Sequence, residues 1–172
     1  MPRRKYPLFH ELSQKLASTS FGARLSARLF HRLDRFVLAL TGGRTTLASL
    51  LTGLPLVMLT TTGAKSGQQR TLPLLRIRDE TDSRRFALIA SNWGQRHYPA
   101  WYYNLKANPR ATCLIEGQTG DYTAHEAGGE EYARFWNYAT DTYAGYSLYK
   151  QRIGDTRRIP IMVLTLNEPR TE

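Results

Sequence analysis

The apolar positions of this chain follow a helical period near its start and a strand period later. Between about residues 20 and 42, Phe21, Leu25, Leu29, Leu33, Phe36, Val37 and Leu40 recur at helical spacing, and Gly42 and Gly43 supply a stop. That pattern predicts an amphipathic helix. The period changes at Leu54. Residues 55–61 are apolar and β-branched and end at the turn Gly63-Ala64-Lys65-Ser66-Gly67. A second strand is expected over residues 70–78, with Pro73 marking an edge or a bulge. Asp79-Glu80-Thr81-Asp82-Ser83 reads as a hairpin turn and residues 85–90 as the returning strand. A polar loop, residues 91–98, leads to Pro99 at the first position of a short helix that ends at Asn108-Pro109. Residues 111–116 and 121–126 form a hairpin around residues 117–120, residues 130–143 a helix, and residues 159–166 a last strand.

Strands grouped in hairpins with short helices between them point to an α+β chain built on a small antiparallel barrel, not to a βαβ nucleotide fold. A length of 172 residues with 41% hydrophobic and 22% charged suits one compact domain. We divide it into a basic helical extension over residues 1–44 and a barrel domain over residues 45–172.

Charge changes the picture more than composition does. The formal net charge is +10, which points to an anionic partner, with solubility as the plain alternative. Across residues 1–44, Arg3, Arg4, Lys5, Lys15, Arg24, Arg28, Arg32, Arg35 and Arg44 are opposed only by Glu11 and Asp34. Arg24, Arg28 and Arg32 form a stripe beside the apolar face. Such a helix fits an anionic membrane surface and fits equally well a barrel it packs on with its arginines in water. No apolar run reaches the length of a bilayer-spanning helix, and no signal-peptide core is present, so we expect a cytoplasmic protein, peripheral on the membrane's inner face if that helix docks there. Cys113 is the only cysteine, and His10, His31, His97 and His125 show no metal-ligand spacing, so no metal is expected. No helix-turn-helix or RNA-binding pattern accompanies the charge, so no nucleic-acid partner is expected.

Three stretches carry chemistry. The turn Thr60 to Arg70 holds two glycines, Lys65 and Arg70, which suit an anion, but Ala64 breaks the spacing that a Walker phosphate loop requires. Its plain alternative is a solvated basic turn. Ser91-Asn92-Trp93-Gly94 and Pro99-Ala100-Trp101-Tyr102-Tyr103-Asn104-Leu105-Lys106 combine aromatics, an amide and a lysine that could clamp a planar anion, although an aromatic run by itself is more often core packing. Tyr143, Tyr146 and Tyr149 lie three apart, so in one helical turn their rings would stack along one side.

Taken in order, Thr-Thr-Thr-Gly-x-Lys-Ser-Gly-x-x-Arg-x-x-Pro-Leu, Ser-x-x-Gly and Pro-x-Trp-Tyr-x-Asn-Leu-Lys-Ala-Asn-Pro, with the late Ile159-Pro160-Ile161, resemble the deazaflavin-dependent nitroreductase family from about residue 54 to residue 166. The resemblance implies a single-domain split β-barrel, of the FMN-binding split-barrel type, that takes hydride from the 8-hydroxy-5-deazaflavin coenzyme, F-420. It delivers that hydride to an electron-poor small molecule such as a quinone, enone or nitroaromatic. By position it implies that Ala64, Lys65, Ser66 and Arg70 hold the anionic tail. Thr71, Leu72, Pro73, Leu74 and Leu75 would run beside the ring, and Ile89, Ala90, Ser91 and Asn92 would give backbone contacts. Ala100, Trp101, Tyr102, Tyr103, Asn104 and Lys106 would close the other side. Tyr146, assisted by Ser91, Tyr143 and Tyr149, would polarise the acceptor or return a proton. Ala64 stands where the family commonly has arginine, Asn92 where the founding nitroreductase has lysine, and Leu75 where it has tyrosine. Two alternatives remain: a split barrel using FMN, and a membrane-associated lipid or fatty-acid binder of the same superfamily. The oligomeric state stays open.

Overall fold

The computed structural model describes residues 54–168. Along them run β1 (Leu56–Thr62), β2 (Gln69–Leu75), β3 (Ile77–Arg78), β4 (Arg85–Ile89), α1 (Ala100–Ala107), β5 (Arg110–Ile115), β6 (Gln118–Glu126), α2 (Gly129–Thr142), α3 (Gly145–Ile153) and β7 (Ile161–Leu166). The expected basic helix at residues 20–42, its arginine stripe and the boundary after Arg44 lie outside the described residues. Among the described residues no helix is long and apolar enough to cross a membrane.

The strands form one antiparallel sheet in the order β2-β1-β5-β6-β7-β4-β3. The expected second strand proves to be broken at Arg76. Before the break, Leu75 lies opposite Leu56 of β1, and directly after it Ile77 lies opposite Ala87 of β4. One run of chain therefore supplies both edge strands of the sheet, which curls into a split barrel. Arg76 sits at the transfer, where its N–H leaves the ladder to bond the Pro55 carbonyl at 2.8 Å. Pro73 occupies β2, an edge strand, where a missing donor is tolerated.

Burial explains the two apolar patterns. In β1, Val57, Leu59 and Thr61 point into the barrel, which gives the half-buried alternation of a one-sided strand. In β4 and β7 nearly every residue is buried, because these strands separate two cores. Phe86, Leu88, Met162 and Leu164 face the barrel interior, which α1 closes with Trp101, Tyr102 and Leu105. Ala87, Ile89, Ile161 and Val163 face the opposite way, under α2 and α3, where Phe135, Tyr146, Tyr149 and Ile153 cover them. Strands buried on both faces read as unbroken apolar runs. The Asp79 carboxylate is buried beside Arg85 and Arg134, which ties the turn before β4 to α2.

Local expectations hold with three corrections. The β5–β6 hairpin closes over Glu116 and Gly117, tighter than the four residues expected. Both have positive φ, 52° and 87°, the mirror-image two-residue turn that matches strand twist. A glutamate is an unusual choice there, and its carboxylate accepts hydrogen bonds from Arg76 and Arg78, each at 2.8 Å. Pro99 precedes the helix as its N-cap instead of opening it. Tyr143, Tyr146 and Tyr149 do not share one helical turn, because α2 stops at Thr142 and α3 starts afresh at Gly145.

Cys113 lies inside the barrel, where burial, with a smaller push from the Asp121 charge, raises its thiol to about 12. The thiolate is the reactive form, so the folded protein at neutral pH should resist alkylating reagents and become reactive only on unfolding. Mass-spectrometric counting of label with and without denaturant checks this. Rapid native labelling would place the thiol outside the core.

Candidate active site

The turn after β1 is shaped to present positive charge. Gly67 adopts a left-handed φ of 66°, and the ends are closed by Gly63 N–H to Gln68 O and Gly67 N–H to Gly63 O, both 2.8 Å. Ala64, Lys65, Ser66 and Arg70 are all exposed. Neither Lys65 nor Arg70 forms an ion pair with a carboxylate among the described residues. The N–H groups of Lys65 and Ser66 likewise have no described partner. Two adjacent N–H groups without a described partner, beside two cations without a described carboxylate, have the chemistry that a phosphate or carboxylate would need. That is the observation by which the site fits a polyanionic cofactor tail.

Asn104 of α1 holds this turn in place. Its side-chain oxygen accepts from the Ala64 N–H and its amide donates to the Thr61 hydroxyl, both at 3.0 Å, with Asn104 and Thr61 buried. Asn104, expected to touch ligand, is thus occupied by the turn and positions Lys65 from behind. Asn104→Ala strands a buried hydroxyl and frees the turn. We expect a stability loss of about 1–3 kcal/mol, read in urea, together with weaker cofactor binding. Unchanged binding in a folded variant would mean that the turn is rigid without it.

β2 leads away from the turn and its two faces differ. Leu72 and Leu74 pack against the barrel interior, whereas Leu75 packs against the cluster that contains Tyr146 and Tyr149. By the two-residue period, Thr71 and Pro73 share Leu75's face. Of the five strand residues expected beside a ligand, only Thr71, Pro73 and Leu75 can offer side chains on that side. The Thr71 hydroxyl is bonded to that of Thr60 at 2.8 Å.

At the far end of that face stand the three tyrosines. Tyr143 and Tyr149 hydroxyls are hydrogen-bonded at 3.1 Å. Tyr146 meets Tyr143 edge-on at 5.4 Å and Tyr149 at 6.2 Å. Tyr146 meets both neighbours edge-to-face and the Tyr143 and Tyr149 rings are tilted to each other, because Tyr143 comes from the link between α2 and α3 and the other two from α3. Gly145 makes this possible: a Cβ there would lie 2.3 Å from the folded-back Tyr143 ring. Burial, then the neighbouring Tyr143, holds the Tyr146 phenol well above the usual range. Burial likewise raises Tyr149, with Tyr143 adding to it. Both stay protonated at any physiological pH and so carry a proton that a hydrogen bond can use.

Between strand and helix, residues 90–97 form a loop whose backbone is mostly engaged within the chain. Ala90 N–H donates to Pro160 O at 2.9 Å and Ser91 N–H to Ile89 O at 2.8 Å. Arg157, which the sequence reading missed, donates to the carbonyls of Ala90 (3.3 Å), Ser91 (2.7 Å), Gln95 (3.0 Å) and Arg158 (2.9 Å). Its guanidinium also covers the Tyr98 ring at 4.8 Å. The backbone contacts expected from Ile89, Ala90 and Ser91 are therefore largely used inside the protein. The Ser91 hydroxyl has no hydrogen-bond partner among the described residues. Asn92 turns its amide to the His97 carbonyl at 3.0 Å. Asn92, Trp93 and Gly94 all have positive φ, 47°, 57° and 74°, a strain of about 1–2 kcal/mol at Trp93, since asparagine and glycine tolerate this region.

α1 divides its expected binding residues. Trp101 and Tyr102 are buried in the barrel core, and Ala100, Tyr103 and Lys106 are exposed. Lys106 pairs with Glu126 at 3.1 Å, which also accepts from the Tyr102 hydroxyl at 3.1 Å and pairs with Arg158. The Trp101 and Tyr102 side chains are packing groups here.

The chain is similar to known proteins. A family model described as F420H(2)-dependent quinone reductase matches residues 24–166. The chain belongs to that family. It is an oxidoreductase that uses the reduced deazaflavin coenzyme F420, and neither FMN nor a lipid-binding role is favoured by the match. An F420H(2)-dependent quinone reductase of Mycobacterium tuberculosis is 36% identical over 114 residues, 64% of this chain and 73% of that protein. The solved structure of an F420-H2 dependent reductase, FDR-A, aligns with TM-score 0.57 and 37% identity over 64% of this chain and 93% of its own. A second structure, a domain-swapped dimer, aligns with TM-score 0.60 and 31% identity over 84% and 96% of the two chains. These neighbours share the split-barrel fold.

Proposed function

We propose that this protein passes hydride from reduced F420 to a quinone-type acceptor, with the cofactor lying along the Thr71–Pro73–Leu75 face between the cationic turn and the three tyrosines. The observation that carries this reading is the pairing of uncompensated Lys65 and Arg70 at one end of β2 with buried phenols at the other. A seven-residue strand spans roughly 20–25 Å, which suits an elongated ligand with a flat head and an anionic tail. When bound, the coenzyme supplies a hydride from a ring carbon. Lys65, Ser66 and Arg70 hold the tail, and the Leu75 side supports the head. Tyr146 donates a hydrogen bond to the acceptor oxygen, which gains negative charge as hydride arrives. Ser91 is the second donor within the same site. A quinone that takes one hydride needs one proton to become the hydroquinone, and the hydrogen-bonded Tyr143–Tyr149 pair offers a route for it from solvent. The test is fluorescence titration with oxidised F420 beside FMN, followed by oxidation of reduced F420 by a quinone. Equal affinity for FMN, or no quinone-dependent oxidation, would overturn the reading.

Peripheral contact between a cytoplasmic protein and anionic membrane belongs to the same proposal. It rests on the sequence stripe Arg24, Arg28 and Arg32. Sedimentation with anionic and neutral liposomes decides it, and equal pelleting with both would sink it.

A further inference from the structure

Trp93 is the most exposed large apolar side chain among the described residues, at 68%, and it is held there against its backbone preference. Its φ of 57° lies between Asn92 at 47° and Gly94 at 74°, a run that glycine tolerates and a bulky aromatic ordinarily avoids. Side-chain hydrogen bonds hold the loop in that form. Arg152 of α3 donates to the Trp93 carbonyl at 3.0 Å, the Asn92 amide reaches His97 O, and Arg157 grips the Ser91 and Gln95 carbonyls on either side. Gly94 packs so closely on α3 that a Cβ would lie 3.1 Å from Arg152 and 3.3 Å from the Tyr149 backbone. The indole is thereby fixed edge-on to Tyr149, with centroids 6.1 Å apart, two residues from Ser91. A strained, pinned and solvent-facing aromatic at the rim of the tyrosine cluster is not packing the core. It is available to a ligand.

We propose that Trp93 is an acceptor-binding residue that sets specificity, its indole giving a planar aromatic acceptor a surface to pack on beside Tyr149. This rests on the hydride-transfer reading above and names a residue for its acceptor side. The cofactor is held by the turn and β2 and does not need it. Trp93→Gly removes the ring and relieves the backbone. Trp93→Asn also removes the ring while keeping a residue that tolerates the left-handed region, and Trp93→Phe retains an aromatic. Each variant is assayed with reduced F420 against naphthoquinone and against cyclohexenone, a small non-aromatic enone, with thermal melts and F420 titrations alongside. For Trp93→Gly and Trp93→Asn, KM for naphthoquinone should rise about tenfold, the scale of one lost aromatic contact. KM for cyclohexenone and F420 affinity should change little, melting should be no lower for the glycine variant, and Trp93→Phe should recover most of the loss. Wild-type protein that reduces naphthoquinone while both ring-deleted variants keep its KM would overturn the role of Trp93 alone. An equal rise for both acceptors, or a fall in melting temperature that Trp93→Phe does not restore, would mark a structural role and overturn it too. Wild-type protein that oxidises reduced F420 with neither acceptor would overturn the underlying reading instead.

Discussion

Lys65→Ala weakens binding of the deazaflavin coenzyme by about 1–3 kcal/mol, and Arg70→Ala does the same, the scale of a lost charge-assisted hydrogen bond. The expectation follows from geometry as much as from charge. Both side chains are exposed, and neither is neutralised by a described carboxylate. By contrast, Lys106 is already paired with Glu126. Its replacement by alanine should therefore change binding less than either of the first two. On the proposed placement of the tail beside exposed Lys65 and Arg70, wild-type affinity should fall as salt rises, and the two variants should fall less steeply. Titration of F420 fluorescence at several salt concentrations reads all of this. Affinity indifferent to salt, with both variants silent, would place the tail elsewhere.

Tyr146→Phe leaves cofactor affinity nearly unchanged and slows reduction of the acceptor. The phenylalanine keeps the edge-to-face contacts with Tyr143 and Tyr149, so only the hydroxyl is lost. Burial holds that hydroxyl well above the ordinary phenol range, which makes it a poor proton donor in the ground state and a dependable hydrogen-bond donor. Its contribution is then stabilisation of charge developing on the acceptor oxygen, for which loss of one oriented donor costs about 10²–10³-fold at most. Ser91 can replace part of it. The rate should not follow a phenol titration in the neutral range. Single-turnover oxidation of the reduced coenzyme across pH isolates the step. A variant as fast as wild type with quinone, enone and nitroaromatic alike would leave Tyr146 only a wall.

Much of the candidate site was legible before the fold. The turn residues 63–70 show their candidate chemistry locally, since two glycines and two cations stand within one hairpin, although Asn104, 40 residues away, fastens that turn. The tyrosines were visible by spacing, yet their arrangement was not. Spacing assumes one continuous helix, and Gly145 begins a second one. Trp101 and Tyr102 look like ligand clamps in a sequence and are barrel packing in the structure, because an aromatic run shows no sign of which face is covered. Arg157 and Glu126 left no signal. Arg157 acts on main-chain carbonyls up to 67 residues away, and every residue has a carbonyl, so no partner type marks the contact.

What the sequence determines by itself is whatever depends on near neighbours. The strand and helix periods, the doubly apolar runs of β4 and β7, the glycine-bearing turns and the net positive charge belong to this group. Pairing across the barrel depends on distance in space, and that only the tertiary structure decides. The break at Arg76 joins the two sheet edges, Asn104 fastens the cationic turn to α1, and Arg157 grips the Ser91 loop. Arg152, with the close approach of Gly94 to α3, holds Trp93 open to solvent. Each is a contact between segments remote in the chain, so its role is absent from any local pattern and appears only once the barrel has closed.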